Sequence, residues 1–257
     1  MKEIPPQNKK ERLSPLEKAT DFAVSQFSHW KNRNQFRDLR TRDYIYSLKG
    51  FDDLECIFIH IPKSAGVSLN RELFGNLGGA HRTVRIYKRV FGPSTFKKYF
   101  KFTFVRNPYS RLLSAYRFLK RGGFCEKDRL WAEQNLAQFD SFRDFVHGWL
   151  TEESAMKYNH FMPQFVFVCD RSFEPEVDFI GRFETIDKDF KMVCKKLNIS
   201  RSLKKYNRGP EKEAHWSTYY TEKELEKVYE VYRKDFELFD YSEMPAVNKK
   251  GDNSKSN

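Results

Sequence analysis

Apolar positions along this chain change period several times, and each change marks an element. Cys56-Ile57-Phe58-Ile59-His60-Ile61 is a short apolar run stopped by Pro62. A run without alternation reads as a strand buried on both faces, the pattern of a parallel sheet. Phe102-Thr103-Phe104-Val105 repeats it and is stopped by Arg106-Asn107-Pro108. Phe165-Val166-Phe167-Val168 and Val177-Asp178-Phe179-Ile180 are two further candidate strands. Around them the spacing turns helical: Leu112, Leu113, Tyr116 and Leu119 share one face, Ile186, Phe190, Val193 and Leu197 another. Leu225, Val228, Tyr229, Tyr232, Phe236 and Phe239 form the inner face of a last helix, opened by the capping box Thr221 to Glu224. Glu230 and Lys234 are placed to pair one turn apart on its outer side. A first helix starts at Ser14-Pro15-Leu16-Glu17, a second capping box with proline at the first helical position. Leu16, Ala19, Ala23, Phe27 and Trp30 follow as its expected inner face.

Strands alternating with helices predict a three-layer α/β fold with a central, mostly parallel sheet. Ligands of such sheets bind beyond the carboxyl ends of the strands. The expected organisation is an N-terminal arm and helical extension over 1–50, a main domain over 51–245 and a disordered tail over 246–257.

Composition narrows the class. With 257 residues, 39% apolar and 32% charged, the chain can bury a substantial core and lacks the low-hydrophobicity signature of disorder. Its 47 basic and 35 acidic residues give a net charge of +12, which favours an anionic partner: a nucleotide, an acidic polysaccharide, nucleic acid or a membrane surface. The four cysteines, Cys56, Cys125, Cys169 and Cys194, form no C-x-x-C pair and are expected to be reduced thiols. No stretch approaches the ~20 apolar residues of a membrane span, and the first dozen residues carry no apolar leader. For the chain as it stands, the expectation is a cytoplasmic protein.

Two segments carry chemistry. Ile61-Pro62-Lys63-Ser64-Ala65-Gly66-Val67-Ser68-Leu69 joins the first strand to a helix. A tight loop entering a helix presents unpaired backbone N–H groups and the positive end of the helix dipole, which suits a phosphate. Ser64, Ala65 and Gly66 are small enough for close approach, and Lys63 adds a point charge. The lysine precedes the only glycine, so this is not the G-x-x-x-x-G-K-[ST] loop of nucleotide hydrolases. In the second segment, 101–114, a strand ends in Arg106 and a helix follows with Ser110 and Ser114 one turn apart. An arginine fork with a hydroxyl partner suits a terminal phosphate. Two anion grips, each following a buried strand, imply a ligand phosphorylated at two places.

These segments resemble the sulfotransferases that use 3'-phosphoadenosine-5'-phosphosulfate (PAPS), closest to the branch of bacterial and carbohydrate sulfotransferases. Ile61–Ser68 resembles the family's 5'-phosphosulfate loop, Phe104–Tyr116 its 3'-phosphate site, and Val177–Glu184 with Asp189-Phe190 a later block. Val67 stands where Thr is common and Tyr109 where Trp is frequent; neither departure removes a charged contact. The resemblance implies a fold related to P-loop kinases without their nucleotide hydrolysis. It implies that Lys63 contacts the 5'-phosphate and the oxygen bridging to sulfur, and that Ser64, Ala65, Gly66, Val67 and Ser68 cradle that phosphate. Arg106 and Ser114 would hold the 3'-phosphate, Phe183 would lie near adenine, and Arg208, in a basic loop, would close over the cofactor.

Sulfuryl transfer is an in-line displacement, with charge building on the departing phosphate oxygen; Lys63 fits the cation that stabilises it. A base must take the proton of the acceptor hydroxyl. His81, after Gly78-Gly79-Ala80, resembles the histidine base of carbohydrate sulfotransferases and is favoured. His160 is the second candidate, with Glu133, Glu152 and Glu153 behind it. His60 reads as structural, inside a strand. No metal is required and no metal-site spacing is visible. A glycan hydroxyl is the expected acceptor. The rival from another class is a nucleic-acid- or polyanion-binding protein without catalysis, suggested by the interleaved basic and aromatic residues at 85–91 and 97–101. The same residues are also expected to flank the donor cleft, which explains them without nucleic acid.

Overall fold

A computed structural model describes residues 14–171, 173–204 and 215–242 of the protein. In chain order the helices and strands are α1 (Pro15–Lys31), α2 (Arg33–Thr41), α3 (Lys49–Asp53), β1 (Cys56–Ile59), α4 (Gly66–Phe74), α5 (Val84–Lys98) and β2 (Phe100–Val105). There follow α6 (Pro108–Lys120), α7 (Glu126–Leu136), α8 (Phe142–Gly148), α9 (Glu152–Ala155), α10 (Phe165–Val168), β3 (Phe179–Arg182), α11 (Ile186–Lys196) and α12 (Glu222–Leu238). The chain divides into two compact units. The first runs to Arg106 and resumes at Met162; the second holds Asn107–Phe161 and the segment from His215.

The first unit contains the sheet. Its three strands lie in the order β1-β2-β3, all parallel, with Cys56 opposite Phe100 and Phe102 opposite Phe179. β1 and nearly all of β2 are buried, as uninterrupted apolar runs require. Inside that sheet, the Thr103 hydroxyl donates to the carbonyl of Ile59 at 2.7 Å and pins the end of β1 to β2. The mixed α/β architecture with a parallel sheet follows the expectation.

Two local readings are corrected. Residues 165–168 are a short helix, α10, not a strand. A four-residue apolar run has no periodicity to separate buried strand from buried helix. The place beside β2 belongs instead to the segment ending in β3, where Asp178 N–H donates to the Lys101 carbonyl and Lys101 N–H to the Asp178 carboxylate. The strand expected over 177–180 accordingly sits two residues later. The second correction concerns α1. Its capping box forms as read, with Ser14 and Glu17 exchanging bonds, but Ala19, Ala23, Phe27 and Trp30 face outward. Phe22, Phe27 and Trp30 are 52%, 63% and 65% exposed. The helix rests on α5, with Ser25 the one buried side chain among those described and His29 half-buried. His29 Nδ1 lies 2.9 Å from the Arg89 carbonyl, and the ring fits against Gly92, whose positive φ kinks α5.

The second unit is an aromatic-rich helical core. Leu112, Leu113, Tyr116 and Leu119 of α6 and Leu225, Val228, Tyr232 and Phe236 of α12 are buried in it, as their spacing predicts. Three tyrosine hydroxyls are spent on backbone carbonyls: Tyr109 on Leu225, Tyr220 on Tyr109 and Tyr232 on Phe161. Burial of the Arg111 guanidinium favours its neutral form; the negative field of Tyr232 and Asp235, both also buried, opposes this. At the start of α12, Glu224 completes a capping box with Thr221 and reaches His147 Nε2 at 2.5 Å.

Candidate active site

The loop after β1 is made by backbone conformation as much as by side chains. Lys63 and Ala65 both take left-handed dihedrals, φ 68° and 64°, which residues with a Cβ adopt rarely. Such strain persists where the surroundings over-determine it and clusters at ligand clamps. Ala65 stands at the N-cap of α4 without any side-chain cap, so the first N–H groups of that helix receive no capping hydroxyl or carboxylate. Gly66 is required sterically: a Cβ there would lie 1.8 Å from the ring of His60. The Ser64 hydroxyl is buried and has no hydrogen-bond partner. A buried hydroxyl left without a partner costs about 1–3 kcal/mol, and in a loop of this shape it marks a position where an anion would complete the bonding. Ser68 lies one helical turn further on and is also buried.

Arg106 ends β2 and reaches the same loop. Its Nη1 donates to the carbonyl of Lys63 at 3.2 Å. The guanidinium lies over the Phe183 ring, 4.2 Å from its centre. The backbone of Arg106 is clamped by Gln164, which accepts from its N–H and donates to its carbonyl, both at 2.9 Å. Lys63, Ser64, Ala65, Gly66, Val67, Ser68, Arg106 and Phe183 are thus gathered at the carboxyl ends of β1, β2 and β3 within the first unit. Ser114 is half-buried on α6, in the second unit. Arg208 lies outside the described residues.

His81 belongs to the same edge. Its Nδ1 is 3.3 Å from the carbonyl oxygen of His60, and the two rings meet edge to face at 4.4 Å. A carbonyl only accepts, so in the neutral ring Nδ1 carries the proton and Nε2 the lone pair. The loop before it bends through three consecutive positive φ values at Gly78, Gly79 and Ala80. A Cβ at Gly78 would meet the Asn70 side chain at 2.2 Å, and one at Gly79 would meet the Tyr87 hydroxyl at 2.0 Å. His160, the second candidate for the base, is buried in the second unit between the rings of Phe118 and Tyr158.

Sequence reasoning missed two contributors. His60 is past the end of β1, not inside it, and supports both the phosphate loop and His81. Asn70 Nδ2 lies 3.4 Å from its Nδ1. The signal available was Gly66, the single glycine of the loop, whose missing Cβ makes room for that ring. Gln164 left no local signal; its role arises only when α10 is brought beside the end of β2.

The stretch 97–101 does not flank this site as expected. Lys97, in the last turn of α5, and Lys101, the second residue of β2, are at the end of the strand opposite Arg106. Tyr87, Phe91 and Tyr99 are core residues, and Lys88, Lys98 and Lys101 are paired with Glu176, Glu55 and Asp178. The stacking platform that the nucleic-acid reading needs is absent from these stretches. Among the described residues, no group of His, Cys, Asp and Glu could hold a metal ion, and no helix is long and apolar enough to cross a membrane.

A model of the sulfotransferase family matches residues 50–242, covering both strand ends, His81 and Phe183. The chain belongs to the sulfotransferase family. Rat carbohydrate sulfotransferase 11 is 30% identical over 169 residues, 57% of this chain and 48% of that protein. Zebrafish carbohydrate sulfotransferase 14 is 26% identical over 230 residues, 74% of this chain and 60% of its own length. Mouse carbohydrate sulfotransferase 12 is 27% identical over 171 residues, 56% of this chain and 41% of its length. The chain spans about half the length of the curated relatives it matches. No solved structure matches it with comparable significance.

Proposed function

We propose that this sulfotransferase-family chain transfers a sulfuryl group from PAPS to a hydroxyl of a glycan. The observation that carries the reading is the hydrogen bond from Arg106, at the end of β2, to the carbonyl of Lys63, at the end of β1. It brings two anion grips together, as a donor phosphorylated at both the 5' and 3' positions demands. The fit is supported by the unpartnered Ser64 hydroxyl and by the left-handed backbone at Lys63 and Ala65. When bound, PAPS supplies an activated sulfuryl group, with adenosine 3',5'-bisphosphate as its leaving group.

The chain's own residues do the rest. Lys63 and the opening N–H groups of α4 offer positive charge to the 5' phosphate and to the negative charge that develops as it leaves. Arg106 holds the 3'-phosphate, and Phe183 offers an aromatic face for the adenine. His81 accepts the acceptor's hydroxyl proton at Nε2, while the His60 carbonyl keeps Nδ1 protonated and the ring oriented. The expected fold relationship is to P-loop kinases. The carbohydrate acceptor is supported by the relatives' names and by the net charge of +12.

The test is transfer from 35S-labelled PAPS to a panel of oligosaccharides, with calorimetric binding of adenosine 3',5'-bisphosphate alongside. Wild type is expected to label at least one glycan, and His81→Ala to lose turnover while binding the bisphosphate normally. Absence of bisphosphate binding by wild type would reject the reading. Equal loss of binding and turnover in His81→Ala would make His81 a packing residue.

A further inference from the structure

Asn70 is fully buried on α4, one helical turn after Gly66 and on the same face. That face holds the ring of His60. Gly66 leaves the space in which the ring lies, and Asn70 Nδ2 is 3.4 Å from its Nδ1. An amide nitrogen only donates, so Nδ1 accepts, and the neutral ring carries its proton on Nε2. α4 therefore sets the place of the His60 ring, and Asn70 sets its tautomer. His81 rests on this ring edge to face, 4.4 Å between centres, with its own Nδ1 turned to the His60 carbonyl.

The other end of the same amide meets the second support of His81. Asn70 Oδ1 abuts Gly78, where a Cβ would collide with it. Gly78 opens the turn of three positive φ values that leads into His81. Oδ1 has no hydrogen-bond partner among the described residues. A buried carbonyl left unpaired destabilises a fold, and an apolar side chain of similar size would strand no oxygen there. Stability alone thus gives no reason for an amide at this position. Its contact with both supports of one histidine does.

We infer that Asn70 is a positioning residue for the base: it holds the His60 ring and the Gly78 turn in the arrangement that keeps His81 Nδ1 on the His60 carbonyl and its Nε2 lone pair open to the acceptor hydroxyl. The same helix presents its first turn to the 5'-phosphate, so donor and base are set from one element. The inference deepens the sulfuryl-transfer reading and rests on it for its effect on turnover, whereas the arrangement of the two histidines does not depend on that reading.

The first measurement is a long-range 1H–15N NMR correlation of the histidine rings in the full wild-type chain. His60 is expected as the Nε2–H tautomer and His81 as Nδ1–H. An Nδ1–H tautomer at His60 would overturn the inference, because that nitrogen could not then accept from Asn70. Asn70→Ala should release His81 towards Nε2–H, the tautomer imidazole prefers in water. It should also lower kcat for labelled-sulfate transfer about 10–100-fold, the scale of a misplaced catalytic group. KM for PAPS and affinity for adenosine 3',5'-bisphosphate should stay at their wild-type values. Asn70→Asp keeps the shape but offers His60 an acceptor; it should turn His60 to Nδ1–H and lose kcat as Asn70→Ala does. Tyr87→Phe is the control. The Tyr87 hydroxyl is also buried without a partner and abuts Gly79 of the same turn, but its ring packs on Phe51 and Phe91. This variant should turn over like wild type; a loss equal to that of Asn70→Ala would reduce the effect to packing of the turn and overturn the inference. Loss of bisphosphate binding along with turnover in Asn70→Ala would do the same, by making Asn70 a residue of the phosphate loop's fold. A wild type without transfer activity, in which Asn70→Ala still releases the His81 tautomer, would reject the sulfuryl-transfer reading and support the positioning.

Discussion

Beyond β1 the backbone itself supplies the shape of the site. Lys63 and Ala65 are left-handed, Gly66 yields to His60, and the first turn of α4 presents its N–H groups. Beyond β2 the shape comes from side chains: Gln164 fixes the Arg106 backbone, Lys63 offers a carbonyl to its guanidinium, and Phe183 lies beneath it. A grip of the first kind is set by residue size and dihedral angle, and its main-chain donors survive most substitutions. A grip of the second kind concentrates its function in one cation and its supports.

That contrast can be broken at three points. The largest effect is expected at Lys63, where the backbone grip keeps its donors but loses its charge. Lys63→Ala should lower kcat for labelled-sulfate transfer by about 10²–10³-fold with the far-ultraviolet dichroism unchanged. Wild-type turnover would remove Lys63 from the chemistry. The next effect is at Arg106, where the side-chain grip has no substitute. Arg106→Ala should weaken adenosine 3',5'-bisphosphate by about 10–100-fold, the worth of a charged hydrogen bond. Calorimetry giving an unchanged Kd would mean that the 3'-phosphate is held elsewhere. The smallest effect sharpens the comparison by its sign. Ser64→Ala removes a buried hydroxyl that has no partner in the free protein, so the free protein should melt no lower than wild type, or higher. Its bisphosphate affinity should nevertheless fall about 2–10-fold. A lower Tm with unchanged affinity would show that the Ser64 hydroxyl serves the fold.

Much of the site was legible because its motifs are local. A buried strand, a proline and a capped helix occupy one continuous stretch of chain at both strand ends, so Lys63, Ser64, Gly66 and Arg106 could be read in place. The convergence of the two ends was also accessible, since parallel neighbouring strands carry their carboxyl ends to the same edge of a sheet. His60 and Gln164 were not. The ring of His60 matters because a glycine six residues later leaves room for it, and Gln164 because its amide reaches a backbone 58 residues away. Run length misled at 165–168, where four apolar residues suit either conformation. Spacing misled at α1, because period reveals an apolar stripe but not which side finds a support. α6 and α12 bury their stripes among one another's aromatic residues; α1 keeps Ala19, Ala23, Phe27 and Trp30 exposed and sets His29 against α5.

The manner in which α1 is attached has a consequence for motion. Among the described side chains of α1 only Ser25 is buried, so the helix gives up little apolar surface when it lifts away. Its amide protons should therefore exchange with solvent through local opening, well before those of β2, which yield only with the sheet. Because Phe22 rides on this helix, each such excursion also takes one wall from a cavity at the start of β2.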